Sequence, residues 1–280
     1  MRKLGIALLV AAAAWLGTAA PAVAEVAWRT DVKRALASAR SERRAVLLDF
    51  SAAWCAPCKA MDRSFWSRAD VAERTRRLTT VRVDFDRNQW LARKHNVSSI
   101  PAVIVLDPWG NPLAAVIGFG TDMRQLELLL AQIPDDFAVA EPFVAALDKD
   151  DKDFAALRGL GEFYYRHKFA TVSTHYYERA LKSPAAKRDE KARGDVLVAL
   201  GWNHLRMNDD QRAREDFAEA LKVTDLERAD VALFGAMVAN LGLGRRDEAE
   251  KAFAELSSRF PTSEATNEAR ARLQAGRANR

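Results

Sequence analysis

The run Ala45-Val46-Leu47-Leu48-Asp49-Phe50 is almost wholly apolar, and it ends five residues ahead of the first of two cysteines in Trp54-Cys55-Ala56-Pro57-Cys58-Lys59. A short continuous apolar run of this kind reads as a strand buried on both faces, which requires covering layers above and below a sheet. The flanking signals agree. Asp31–Arg43 suits a short helix capped by Thr30 or Asp31, and a second helix begins near Cys55, with 67–77 continuing or following it. Val81–Phe85 alternates as a half-buried strand should, Trp90–His95 suits a short helix, and Ile100–Leu106 and Leu113–Ile117 read as strands joined by the turn 107–112. Asp122–Ile133 closes the unit as an amphipathic helix. The expectation for residues 25–134 is a mixed α/β domain with one sheet between helices.

The chain holds only two cysteines, so a disulfide-rich scaffold is excluded. Two residues apart in a first helical turn, Cys55 and Cys58 can bring their sulfurs to bonding distance. Cys55 at the helix start meets free N–H groups and the macrodipole, which favour a thiolate. Pro57 fixes φ where no N–H is lost from the helix ladder. A purely structural disulfide over so small a loop restrains the unfolded chain little. Zinc needs two more ligands, and His95, His167, His175 and His204 lack paired-ligand spacing. Covalent haem needs a histidine where Lys59 stands. Redox exchange is the reading left in front, with no metal or organic cofactor implied beyond the cysteine pair.

Cys55-Ala56-Pro57-Cys58 at a strand-to-helix junction, Asp49 six residues before it, Asp86 at the end of the next strand and Ile100-Pro101 opening the following one together resemble the thioredoxin family. That resemblance spans roughly residues 30–134. It implies Cys55 as attacking thiol, more exposed and more acidic than Cys58, and Cys58 as resolving thiol. Asp49 becomes a buried proton acceptor for Cys58, with Arg82 where the family often has lysine. It further implies a cis Ile100–Pro101 bond facing the cysteines, an Ile100 backbone left to pair with extended substrate, and Trp54 as a cover over the disulfide. Trp66, Trp90 and Trp109 are expected to pack in the interior. The helix after Cys58 lacks the kinking proline of ordinary thioredoxins and reads Met61-Asp62-Arg63-Ser64-Phe65-Trp66-Ser67. With Gly118-Phe119, this is closer to the C-terminal domain of periplasmic transmembrane disulfide reductases.

Residues 1–24 look like an address. Arg2 and Lys3 precede a charge-free stretch that ends Ala22-Val23-Ala24, the layout of a secretory signal peptide cleaved before Glu25. The alternative is an uncleaved anchor. Either places the rest of the chain in the periplasm or an equivalent oxidising space, in the second case held at the membrane and facing it.

Beyond Asp151 the strand signals stop. Leu157, Leu160, Gly161, Tyr164, Ser173, Tyr177 and Ala180 are matched at identical offsets by Leu197, Leu200, Gly201, His204, Ala213, Phe217 and Ala220, and again by Leu233, Ala236, Met237, Asn240, Ala249, Phe253 and Leu256. Small residues where helices cross and aromatics where they pack resemble the tetratricopeptide repeat. The spacing exceeds the usual one, and the excess is expected in loops such as 183–195. The third copy is the poorest match, because Met237 and Leu256 replace small residues. Residues 151–280 are thus expected to be an all-α repeat domain, separate and capped by 263–273, with 135–150 as a linker that can hold one packing helix, Phe137–Leu147. Tyr164, Tyr165, Tyr176, Tyr177 and Trp202 fit the interior better than a binding face.

The formal net charge is +5, reduced to +3 without Arg2 and Lys3, too small an excess to indicate nucleic-acid binding. The sequence therefore points to a periplasmic thiol-disulfide oxidoreductase, a reductase or isomerase. Its expected partners are protein disulfide or thiol substrates, a membrane or periplasmic electron donor, and a protein held by the repeats. A disulfide-donating oxidase, or a repeat adaptor whose redox pair is incidental or regulatory, are the alternatives.

Overall fold

The computed structural model describes residues 25–120 and 123–278. The proposed signal segment, residues 1–24, lies outside them. Among the described residues no helix is long and apolar enough to cross a membrane.

The first unit runs α1 (Val32–Glu42), β1 (Val46–Ser51), α2 (Ala56–Met61), a π-helical turn (Asp62–Trp66), α3 (Ala69–Thr75), β2 (Thr79–Asp84), α4 (Gln89–Lys94), β3 (Ala102–Leu106), β4 (Pro112–Ile117) and α5 (Arg124–Gln132). Asp31 caps α1, its carboxylate accepting from the Arg34 N–H at 3.0 Å. The sheet order is β2-β1-β3-β4, with β1 parallel to β2 and antiparallel to β3, and β3 antiparallel to β4. Side chains alternate across it. Leu47, Val103 and Val105 join Met61, Phe65, Trp66, Leu126 and Leu129 on one face, while Val46, Leu48, Phe50 and Ile104 join Ala35, Ala39 and Leu91 on the other. Asp49 shares the parity of Leu47, so it lies on the α2 face of the sheet.

β2 alternates over Val81–Asp84 as expected, with Val81 and Val83 buried, Arg82 half-buried and Asp84 exposed, and it starts earlier, at the buried Thr79 and Thr80. The chain ahead of α1 covers its free edge, the Arg29 N–H donating to Thr80 O and the Arg82 N–H to Arg29 O.

The helical unit comprises α6 (Glu141–Leu147), α7 (Phe154–Arg166), α8 (Ala170–Lys182), α9 (Glu190–Arg206), α10 (Asp210–Ala220), α11 (Ala229–Gly242), α12 (Arg246–Arg259) and α13 (Glu264–Ala278). Asp153, Asp189 and Asp209 cap α7, α9 and α10. The repeat also shows in the backbone. Lys168, Asn208 and Gly244, at one repeat position, all take positive φ (62°, 59° and 71°) where the first helix of a pair turns into the second. Gly161 lies under the Tyr177 ring and Gly201 under the Phe217 ring, where an added Cβ would approach within 2.5 and 2.6 Å. The extra length of the second copy is not all loop, as α9 has 17 residues against 13 in α7.

The segment 135–150 holds the packing helix expected in it, as α6 over Glu141–Leu147. Phe137 is fully buried, its ring 6.0 Å from that of Trp109 and 5.5 Å from that of Phe163. Phe143 of α6 covers Gly159 of α7. One apolar core holds Leu47, Val103 and Leu126 from the first unit together with Leu160, Tyr164 and Tyr176 from the repeats. Across this join Tyr164 Oη donates to Asp107 Oδ2 at 2.7 Å, and Arg43 Nη1 donates to Glu141 Oε2 of α6 at 3.1 Å. The two units therefore share an interior, and among the described residues Tyr164 is the partner that Asp107 gains from outside its own turn.

Candidate active site

Cys55 is the N-cap of α2, at the C-terminal end of the loop leaving β1. Its N–H donates to Ala52 O at 3.1 Å, and Pro57 stands in the first turn. Cys55 and Cys58 form a disulfide, S–S 2.04 Å, and the Cys58 N–H donates to Cys55 Sγ at 3.2 Å. That donor is one of the orphan N–H groups of a helix start, and it favours negative charge on Cys55. The expected difference in exposure is not present in this oxidised form, where Cys55 is 2% and Cys58 3% exposed. Ala52, Phe85 and Ile100 close around both sulfurs.

The Ile100–Pro101 bond is cis. Pro101 O accepts from the Gly118 N–H at 2.8 Å, while the Ile100 N–H and C=O take no hydrogen bond among the described residues. Most of the Trp54 surface is in solvent, and its Nε1–H donates to Asp86 Oδ2 at 2.8 Å. Trp66 and Trp109 pack into the core, but Trp90 is half exposed because α4 turns that side outward while Leu91 and Ala92 face the sheet.

Asp49 is 2% exposed, and burial pushes its carboxyl up to about 7, against the pull of Arg82 and with added repulsion from Asp62. Arg82 stands directly opposite it in the β1–β2 register, with Nε 3.1 Å from Asp49 Oδ2. Two members of this group escaped the sequence reading. Arg82 Nη1 donates to Asp62 Oδ1 at 2.7 Å, and its guanidinium lies 4.3 Å from the Trp28 ring centroid. Asp62 had a legible signal, since it follows Cys58 by four residues and so shares its helix face. Trp28 had none, because its strand-like bridge is set by tertiary contact.

A thioredoxin-like family model matches residues 27–108, and a tetratricopeptide-repeat model matches residues 231–263. The second match falls on the copy with the least regular small residues. The thioredoxin of Bacillus subtilis is 39% identical over 82 residues, covering 29% of this chain and 76% of that protein. The chain belongs to the thioredoxin family. A thioredoxin of Mycobacterium tuberculosis is 37% identical over 78 residues, 28% of this chain and 65% of its own length. The thiol:disulfide interchange protein DsbD of Vibrio vulnificus is 30% identical over 95 residues, 32% of this chain and 16% of that much longer protein. The matched stretch of the thioredoxin family contains Asp49, Cys55, Cys58, Arg82 and Pro101, so the constellation lies where the likeness lies.

Proposed function

We propose that the protein is a thiol-disulfide oxidoreductase that reduces or isomerises disulfides of protein substrates through Cys55 and Cys58. The observation that carries this is a disulfide at the start of α2 with a buried Asp49 on the same sheet face, whose carboxyl, pushed up to about 7, can take and release a proton near neutral pH. In the dithiol form, Cys55 thiolate attacks a substrate disulfide. A Cys55–substrate S–S bond forms, the substrate bond breaks, and the departing thiolate takes a proton. Cys58 then gives its proton to Asp49 and attacks Cys55 Sγ. The Cys55–Cys58 bond forms, the mixed bond breaks, and two electrons have passed to the substrate, whose second thiolate is protonated. Ile100, with its unpaired N–H and C=O beside the cysteines, is placed to take an extended substrate segment as an added strand. Pro101 keeps that backbone beside the pair, and exposed Trp54 offers an apolar flank. No further cofactor is needed, and a membrane or periplasmic dithiol donor restores the reduced pair.

The likeness to DsbD and the address-like residues 1–24 support work in the periplasm, with residues 25–134 carrying the chemistry and 151–280 holding a protein partner. Cys58→Ser removes the resolving thiol, so reduced protein should accumulate on Cys55 as mixed disulfides with periplasmic proteins, released by dithiothreitol. A parent protein unable to accelerate insulin reduction by dithiothreitol, with no adducts on Cys58→Ser, would overturn the proposal.

A further inference from the structure

The Arg82 guanidinium serves two carboxylates at once. Its Nε lies 3.1 Å from Asp49 Oδ2, and its Nη1 2.7 Å from Asp62 Oδ1. Trp28 stacks against it, which fixes its plane. Asp49 is closed off from water, whereas the Asp62 side chain is 41% exposed. Trp28, Lys59, Asp62, Asp84, Arg82 and Arg87 line a groove that brings solvent to the far side of the guanidinium. From β3, the residue opposite Asp49 is apolar Val103.

A guanidinium directed at one carboxylate can make two parallel N–H···O bonds and hold that group ionised. Here Nη1 donates an aligned hydrogen bond to Asp62, whereas Nε approaches Asp49 at 3.1 Å as an ion pair with no aligned hydrogen bond among the described residues. We propose that Asp62 is a positioning residue that divides Arg82 between two carboxylates and so leaves Asp49 free to take and release the Cys58 proton. This rests on the reading of Asp49 as proton acceptor.

Asp62 acts in one direction by two routes. Its charge disfavours a second negative charge on Asp49, and its claim on Arg82 weakens the one strong interaction that favours that charge. Without Asp62, Arg82 could turn one edge to Asp49 and make two parallel N–H···O bonds, which would hold the acid ionised to lower pH. The backbone is suited to hold Asp62 there. Its N–H donates to Cys58 O and Lys59 O, and its carbonyl accepts from the Ser67 N–H at 3.1 Å, five residues on, the wide hydrogen bond of the π-helical turn. None of these bonds uses the side chain, so replacing it leaves them intact.

The test is a carboxyl carbon-13 titration of Asp49 in the oxidised full chain, where no thiol titrates nearby. Asp62→Ala should lower the proton affinity of Asp49 about tenfold, and Asp62→Glu should restore most of it. Arg82→Met should raise it, and in that background Asp62→Ala should have a much smaller effect, since only direct repulsion remains. An Asp62→Ala midpoint that is unchanged, is raised, or moves equally without Arg82 overturns the proposal. The pH profile of mixed-disulfide resolution in the reduced protein separates the two readings. If the midpoint moves and the profile does not, Asp62 does govern Asp49, and the error lies in assigning Asp49 to Cys58.

Discussion

Asp49→Asn is the substitution whose effect on stability the structure specifies most closely. The folded carboxyl holds its proton up to about pH 7, whereas its ordinary value is 3.8. Below pH 4 the folded and unfolded chains both keep this proton, and Asp49 contributes no pH dependence. As pH rises, the unfolded chain releases it first, so the folded state binds more protons than the unfolded one and stability declines. The decline runs through roughly three pH units at about 1.4 kcal/mol each, and it ends near pH 7 at about 4 kcal/mol. Asparagine has nearly the same shape and cannot ionise, so the variant lacks this slope. Urea unfolding of the oxidised parent and variant at pH 5 and pH 8 measures it. The variant should gain about 3 kcal/mol on the parent between these two values, the part of the span above pH 5. Every other titrating group is common to both chains and cancels in the difference. A parent–variant difference equal at pH 5 and pH 8 would refute the reasoning, and with it the idea that Asp49 keeps a proton into the neutral range.

Two further expectations concern the helical unit. Tyr164→Phe removes the donor to Asp107 across the join and should lower stability by about 1–3 kcal/mol, read by thermal unfolding; no change would mean that the bond contributes nothing to the union of the two units. Gly201→Ala should destabilise by about 1–3 kcal/mol despite the better helix propensity of alanine. The Phe217 ring it would strike is fully buried and is blocked on its other side by Gly235, so a neutral or stabilising result in urea unfolding would show that the ring can move.

The chemistry was legible because it is local. Cys55, Pro57 and Cys58 declare themselves by spacing, and Asp49 by its register with them, so strand, helix and acid could be placed from one short stretch. The repeats were legible because identical offsets recur: Gly161 with Tyr177 and Gly201 with Phe217 are the same contact built twice. Gly235, which completes the pocket of Phe217, lies off those offsets and carried no signal. What escaped depends on surfaces meeting across long sequence separations. Trp28 finds Arg82 because the chain ahead of α1 lies along β2, and the Trp54 indole finds Asp86 across 32 residues of chain. Phe137 is expected to pack, but nothing nearby in sequence says that Trp109 and Phe163 will close on it. An amphipathic segment announces that it will be buried, but not against what.

The position of that join bears on how repeats can serve the chemistry. β3 starts beside Pro101, at the cysteine end of the sheet, and finishes at Leu106, with Asp107 next and bonded to Tyr164. At about 3.3 Å per residue the strand separates these ends by roughly 17–20 Å. The first repeat therefore grips the sheet at the end away from the disulfide, and the Ile100 backbone keeps its unpaired N–H and C=O. A flexible tether would leave the orientation of a bound partner to chance, at an entropic cost met on each encounter. A continuous core from Leu47 to Tyr176 meets that cost once, on folding. A partner held by the repeats is thus presented to Cys55 in a set geometry, or excluded from it by the same rigidity.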